Sequence, residues 1–355
     1  MELDGVTLAA DSVYFIAEAG VNHNGGIETA EELIDVAVES GADAVKFQTF
    51  SADRLVTKDA VKAEYQTETT GEGSQYEMLK RYELDRSAHK RLMAYCDDRN
   101  ITFLSTPFDP ESADMLADLG VPAIKLGSGE LDNHPLLEHV AGLDLPMIVS
   151  TGMGTMDEVH AAHDAIRSVA PDASVVFLHC TSAYPCSVDK VNLRAMETMI
   201  DELDTPVGYS DHTTLPETPA LAVAAGATVV EKHFTLDSTL PGPDHEASLE
   251  PAELDRAVEM TRIASRLRGD AEKQPTNIEL DNSSTIRKSL HASVDIPAGT
   301  RLNENHIDIL RPATGISPVF YKDLLGTETV AAVQQGNPLT NRHVPMRVVE
   351  SDADR

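Results

Sequence analysis

The chain has 355 residues, 41% of them apolar, enough for one large core and a small second one. Its 28 Lys and Arg against 59 Asp and Glu leave a net charge of −31, a field that repels nucleic acid and anionic membranes and suits a salt-rich cytoplasm, where self-repulsion is screened. No stretch reaches the roughly 18 apolar residues of a membrane span, the acidic start MELDGVTLAADS lacks the basic region of a secretory signal, and Cys96, Cys180 and Cys186 are too few for a disulfide framework, so the expectation is a cytoplasmic protein with buried thiols.

In chain order, short apolar runs alternate with helical patterns. VYFIAEAG is followed by the amphipathic TAEELIDVAVESGA (29–42); DAVKFQTF and ITFLSTPF then lead into PESADMLADLGV (110–121). PAIKLGSGE and LPMIVSTGM precede MDEVHAAHDAIRSVA (156–170), SVVFLHCTS and TPVGYSDHT precede TPALAVAAGA (218–227), and TVVEKHFT is the eighth strand. Eight strand–helix repeats predict a (β/α)8 TIM barrel over 1–270. A doubly wound sheet is the alternative, but no G-x-G-x-x-G follows the first strand. Residues 271–285 are polar and unpatterned, as a linker should be. Short strands and turns without a long helix then predict a compact module over 286–349, with a tail at 350–355.

Polar residues collect at the C-terminal ends of these strands. Glu18, Lys46 and Gln48, Thr106, Lys125 with Ser128 and Glu130, Ser150, Ser182, Ser210 with His212, and Glu231 with His233 all fall there. In a barrel those ends form one rim, and barrel active sites lie on it. Side chains two apart on a strand share a face, so Lys46 pairs with Gln48, Ser210 with His212 and Glu231 with His233, while Lys232 should point toward the helices. His212 and His233 close neighbouring strands and could share a divalent ion such as Mn2+, with positions open to a substrate oxygen. Glu231 could orient that histidine or the ion's water from behind. His160 and His163 fall on a helix and are expected in solvent, and His89 and His139 have no convergent partners. In the C-terminal module, ILRPATGISP places Arg311 where a guanidinium could meet an anion or a sugar hydroxyl.

The motifs IAEAGVNHNG, KFQT, STPF, KLGSGE, STGM, CTSAYP, GYSDHT, EKHFTLD and LPGPDHEASLEP, in this order from about residue 12 to 346, resemble those of the sialic acid synthase family. The last module resembles the family's antifreeze-like (SAF) domain. The resemblance implies a metal-dependent condensation of phosphoenolpyruvate with an open-chain N-acylmannosamine-type sugar and water, giving a nine-carbon 2-keto acid and phosphate. It implies His212 and His233 as ligands of the ion, Mn2+ with Mg2+ or Co2+ as alternatives, and Glu18 as the proton-transferring group. Lys46, Thr106, Lys125, Ser128, Ser150, Ser182 and Ser210 match phosphoenolpyruvate-binding positions. Gln48, Glu130, Tyr184 and Asp244 match sugar-contacting ones, with Lys46, Lys125 and Glu130 counted beside Glu18 among the catalytic residues. Arg311 matches an arginine delivered into a partner's site, which implies a domain-swapped homodimer.

The sixth motif, CTSAYPCS, has Ser182 where neuraminate synthases often have Asn, and Cys186 and Ser187 where they carry Pro. LPGPDHEASLEP leans toward neuraminate or legionaminate synthases over pseudaminate ones. The acceptor stays open between N-acetylmannosamine and 2,4-diacetamido-2,4,6-trideoxymannose. Two other readings are a Schiff-base pyruvate aldolase through Lys125 and a non-catalytic carbohydrate-binding protein.

Overall fold

The computed structural model describes residues 2–3, 5–8 and 12–345. The expected tail at 350–355 and the last four residues of the expected C-terminal module lie outside them. The chain divides after Asp270 into two compact units.

The first unit is a ring of eight parallel strands: β1 (Tyr14–Gly20), β2 (Ala44–Thr49), β3 (Thr102–Pro107), β4 (Ile124–Leu126), β5 (Met147–Ser150), β6 (Val175–Cys180), β7 (Val207–Asp211) and β8 (Val229–His233). The ladder runs β3-β2-β1-β8-β7-β6-β5-β4, and its two ends, β3 and β4, lie against each other. The helices α1 (Ile27–Glu39), α5 (Arg86–Arg99), α6 (Pro110–Leu119), α7 (His134–Ala141), α8 (Met156–Val169), α9 (Ala195–Glu202), α10 (Thr218–Ala224) and α11 (Pro251–Arg268) alternate with these strands. Their starts follow local chemistry: Asp109 accepts from Ser112 N–H ahead of Pro110, and Thr155 with Glu158 forms a capping box before α8. Between β2 and α5 the chain leaves the pattern and forms three short helices, α2 (Ala52–Leu55), α3 (Glu64–Thr70) and α4 (Gln75–Leu79).

Strand parity sorts the side chains into two layers. Val45, Phe47, Phe103, Val149, Phe177, Tyr209 and Val230 face outward and build the main core with residues such as Leu33 of α1, Leu92 of α5 and Ile166 of α8. Tyr14, Ile16, Ala44, Leu104, Ala123, Ile148, Val176, Leu178 and Val229 face inward and fill the N-terminal half of the ring, joined by Leu3 and Leu8 of a short hairpin. On every strand but β6, where Cys180 stands, the next inward position is polar, so the ring is an apolar plug below and a polar chamber above. Gly208 belongs to the inward set and has no side chain; a Cβ there would lie 2.4 Å from the Val229 carbonyl and 2.5 Å from Leu178. Its absence lets β7 and β8 pack closely under the chamber.

Lys232 takes the outward position, as parity predicts. It is fully buried and pairs with Asp211 at 2.6 Å. His89 differs from expectation: it is fully buried, with Nε2 2.6 Å from Thr49 Oγ1 and Nδ1 2.9 Å from the Asp85 carbonyl, and it ties α5 to β2. His163 also differs, since its ring packs edge-on against Phe177 at 5.7 Å and is mostly covered. His160 and His139 are surface residues paired with Glu202 and Asp114. All three cysteines are buried and free.

The second unit has its own core of Leu290, Ala292, Ile296, Leu302, Ile307, Ile316, Leu324, Val333, Leu339 and Val344 around the antiparallel pair β9 (Ser289–Ala292) and β10 (Ile307–Leu310). The stretch 271–285 is not wholly a linker, because it holds most of the helix α12 (Asn277–Ile286). None of the helix residues is buried; a capping box between Thr276 and Glu279 starts it. Among the described residues, no helix is long and apolar enough to cross a membrane.

Candidate active site

A cavity of about 330 Å³ opens above the apolar plug at the C-terminal ends of the strands. Its floor is a charge cluster set by register: the ladder pairs Glu18 with Lys46 on one side and with His233 on the other. Lys46 Nζ lies 2.6 Å from Glu18 Oε2 and 3.6 Å from Glu231 Oε2, and it donates to Thr106 Oγ1 at 2.9 Å. Lys125 Nζ lies 3.6 Å from Glu231 Oε1 and donates to Ser150 Oγ at 2.7 Å. Ser210 Oγ donates to Glu231 Oε1 at 2.8 Å. Glu231 therefore joins the two lysines and is the residue on which the floor is organised.

The two carboxyls respond oppositely to the same burial. Burial pushes Glu18 from its ordinary 4.5 up to about 7, against the pull of Lys46. Burial would raise Glu231 as well, but Lys125, Lys46 and the Ser210 hydroxyl outweigh it and hold that carboxyl near 2. Near neutral pH the floor thus keeps one firmly ionised carboxylate and one that exchanges its proton. Burial also lowers Lys125, while for Lys46 the facing Glu18 and Glu231 overcome burial and raise it.

His212 and His233 meet with ring centroids 5.4 Å apart, and Tyr184 lies over His212 at 4.0 Å. His212 Nδ1 is 2.8 Å from the Thr181 carbonyl, which fixes the proton there and leaves Nε2 with the lone pair. Burial opposes charge on both rings. It wins at His233, which is held well below its ordinary value, whereas Cys180 and the Thr181 carbonyl raise His212. His233 Nδ1 is buried without a hydrogen-bond partner. A neutral ring with an orphaned nitrogen beside a second imidazole fits a divalent cation. Among the described residues no group of three His, Cys, Asp or Glu forms a metal cluster, so these two rings are the donor set on hand.

On one side of the floor, Ser128 accepts from Gly152 N–H at 3.0 Å, and a Cβ on Gly152 would lie 2.3 Å from Ser182 Oγ. Glycine at 152 lets two hydroxyls and a backbone amide crowd one spot. On the other side, Asp244, Glu18 and Gln48 converge around Gly20, a Cβ on which would lie 3.2, 3.3 and 3.6 Å from them. Burial raises Asp244 to about 6. Thirteen of the expected site residues, including Tyr184, line this one cavity. Glu130 does not: it ends the 3-10 turn Ser128–Glu130, which rotates its side chain away from that of Ser128, and it accepts from Asn133 Nδ2 at 2.6 Å. Arg311 belongs to the second unit, where it is exposed next to β10.

The roof is the part that the strand pattern does not disclose. Leu55, Val56, Gln66, Gln75, Met78 and Leu79, all from the α2–α4 excursion, line the cavity with Tyr82 and Phe108. The one signal in the sequence is the length of the connection between β2 and α5, which carries no strand. Cys180, inward-facing at the end of β6 and 3.7 Å from His212 Nδ1, was also unforeseen, although its parity marks it.

The family model described as the NeuB family matches residues 33–273, and that of the SAF domain matches 287–345. The chain is 45% identical over 335 residues to the N,N'-diacetyllegionaminic acid synthase of Legionella pneumophila, covering 93% of this chain and 94% of that one. It is 34% identical to the human N-acetylneuraminate-9-phosphate synthase, covering 92% and 91%. Among solved structures, the N-acetylneuraminic acid synthetase of Leptospira borgpetersenii in complex with citrate superposes with a TM-score of 0.71 at 33% identity, covering 79% of this chain and 94% of that one. A barrel whose chamber gathers these residues, followed by a SAF domain, belongs with such proteins, and the chain is a member of the NeuB family.

Proposed function

We propose that the protein is a nonulosonic acid synthase that condenses phosphoenolpyruvate with the aldehyde of an open-chain N-acylmannosamine-type sugar, of the neuraminate or legionaminate series. The observation that carries this reading is the pair of buried ammonium groups, Lys46 and Lys125, converging on Glu231 below a ring of hydroxyls. A multiply charged anion entering a protein of charge −31 needs such a local concentration of positive charge. The names of the relatives above support the product class.

In the reaction, C3 of phosphoenolpyruvate forms a bond to the aldehyde carbon and the aldehyde oxygen takes a proton. Water adds at C2, and the bond between C2 and the bridging oxygen breaks with its electron pair leaving on phosphate. Lys46 and Lys125 hold the carboxylate and phosphate oxygens, with Thr106, Ser128, Ser150 and Ser182 donating from the wall, while Ser210, whose proton goes to Glu231, lines the anion's pocket and keeps that carboxylate in place. Glu18 receives the proton of the water, a role suited to a carboxyl poised near 7. Gln48, Tyr184 and Asp244 orient the sugar. His212 and His233 would hold a divalent ion, Mn2+ first with Mg2+ or Co2+ as alternatives, which supplies Lewis acidity toward the aldehyde oxygen when bound. We assign the protein to the cytoplasm, as a domain-swapped homodimer in which Arg311 serves the partner's site.

The test is a panel of amino-sugar acceptors with phosphoenolpyruvate and Mn2+. Expected are phosphate release and a product with the mass of the acceptor plus one pyruvic acid. Retained Mn2+, measured after desalting, should fall in His212→Ala and His233→Ala. Turnover of free pyruvate with a borohydride-trapped adduct on Lys125, insensitive to EDTA, would replace this reading by the aldolase.

A further inference from the structure

Of the two motifs VNHNG, after β1, and LPGPDHEAS, after β8, only Asp244 has a part in the condensation. The other polar residues of both form a network that ties the two loops together. Asn22 Nδ2 donates to the Phe234 carbonyl at 2.8 Å and to Ser248 Oγ at 3.0 Å, and Ser248 Oγ donates to the Asp244 carbonyl at 2.6 Å. Asn24 Nδ2 donates to His245 Nε2 at 3.1 Å, and Nδ1 of the same ring donates to Thr235 Oγ1 at 2.7 Å. Asn22, Thr235, His245 and Ser248 are buried. Burial holds His245 down at about 4, so near neutral pH its ring is uncharged and offers one acceptor and one donor, the two roles these bonds require. Gly242 completes the fit: a Cβ there would lie 2.6 Å from His245 Cδ2 and 3.0 Å from Asn24 Oδ1, so its absence lets the chain run against the ring just before it reaches Asp244.

Asp244 needs such a frame. Its carboxyl lines the chamber, 3.2 Å from where a Cβ on Gly20 would stand, and among the described residues it makes no hydrogen bond of its own. A side chain without a tie is aimed by its backbone alone. Here that backbone is held twice, by Ser248 at the Asp244 carbonyl and by Asn24 and Thr235 through the next residue, His245. We propose that Asn22, Asn24, His245 and Ser248 are positioning residues, a clamp between the two loops that aims the Asp244 carboxyl at the acceptor sugar. The assignment deepens the synthase reading above and rests on it.

The test takes the acceptor that wild type turns over best and reads KM for the sugar and for phosphoenolpyruvate separately in Asn24→Gly, Ser248→Ala and His245→Phe. Asn24 is exposed and has φ 50°, a conformation that glycine adopts freely, so the first variant removes a donor and leaves the core alone. Each variant should raise KM for the sugar about tenfold, the size of one or two neutral hydrogen bonds, and leave that for phosphoenolpyruvate within about twofold. On an Asp244→Ala background, where no carboxyl is left to aim, the same substitutions should add little to the loss. Equal rises in both KM values, a fall in kcat alone, or unmoved constants in Asn24→Gly and Ser248→Ala overturn the assignment, while phosphate release by wild type keeps the synthase reading. No turnover of any acceptor by wild type overturns both.

Discussion

Glu18 and Glu231 are the same residue type in the same chamber, and their neighbours make them different reagents. Glu231 has two ammonium groups and a hydroxyl and stays ionised; Glu18 has Lys46 alone against full burial. Because burial raises the folded value of Glu18 from 4.5 to about 7, the folded protein bears the full cost of its ionisation above pH 7. Below pH 4.5 folded and unfolded chains both hold the proton, and the cost vanishes. Glu18→Gln should therefore gain stability over wild type as pH rises from 4.5 to 7 and level off above, followed by thermal melts across that range, while losing turnover. A constant difference across pH would show that Glu18 titrates normally. These inward residues were legible in the sequence because parity and position at a strand end are local properties. Glu130 was not, since a single 3-10 turn decides where its side chain goes.

Among the elements, β7 and β8 carry an outward ion pair, Asp211 with Lys232, in addition to the two inward imidazoles. Both groups are buried, and the Asp211 carboxylate also accepts from Thr213 N–H and Tyr209 Oη. Lys232→Met should leave that carboxylate buried without its cation and cost about 3–5 kcal/mol in urea unfolding. Adding Asp211→Asn should recover much of the loss, since the pair rather than either charge is what the site accommodates. A loss under about 1 kcal/mol would place the pair among those worth little. The alternation of strands and helices was readable because a barrel strand is a run of apolar residues with a fixed period. The excursion α2–α4 has no such period, so neither its helices nor Gln66 and Gln75 stood out. α12 had a legible T-x-x-E start, but its exposed apolar residues Ile278 and Leu280 gave no buried face to confirm a helix.

For the whole molecule, a charge of −31 implies strong self-repulsion when screening is weak. Raising KCl from about 0.1 M to about 2 M should increase the melting temperature and sustain turnover, as the screening length falls from about 10 Å to under 3 Å. Full stability at low salt would show that the acidity is solvated without strain. The assembly has its own test. If the protein is the homodimer proposed above, Arg311→Ala and Glu18→Ala forms should each be inactive, and subunit exchange between them should restore partial phosphate release when Arg311 acts across the dimer. No recovery after confirmed exchange would assign Arg311 to its own chain. The chamber finally divides its work unevenly along the chain. The polar groups of the floor and wall come from the ends of eight strands spread over more than two hundred residues, whereas much of the roof is one uninterrupted segment, Ala52–Leu79. A graft of that segment from a relative is therefore a single exchange of sequence, which would change the roof of the chamber as a cassette while leaving the polar groups of the strand ends in place.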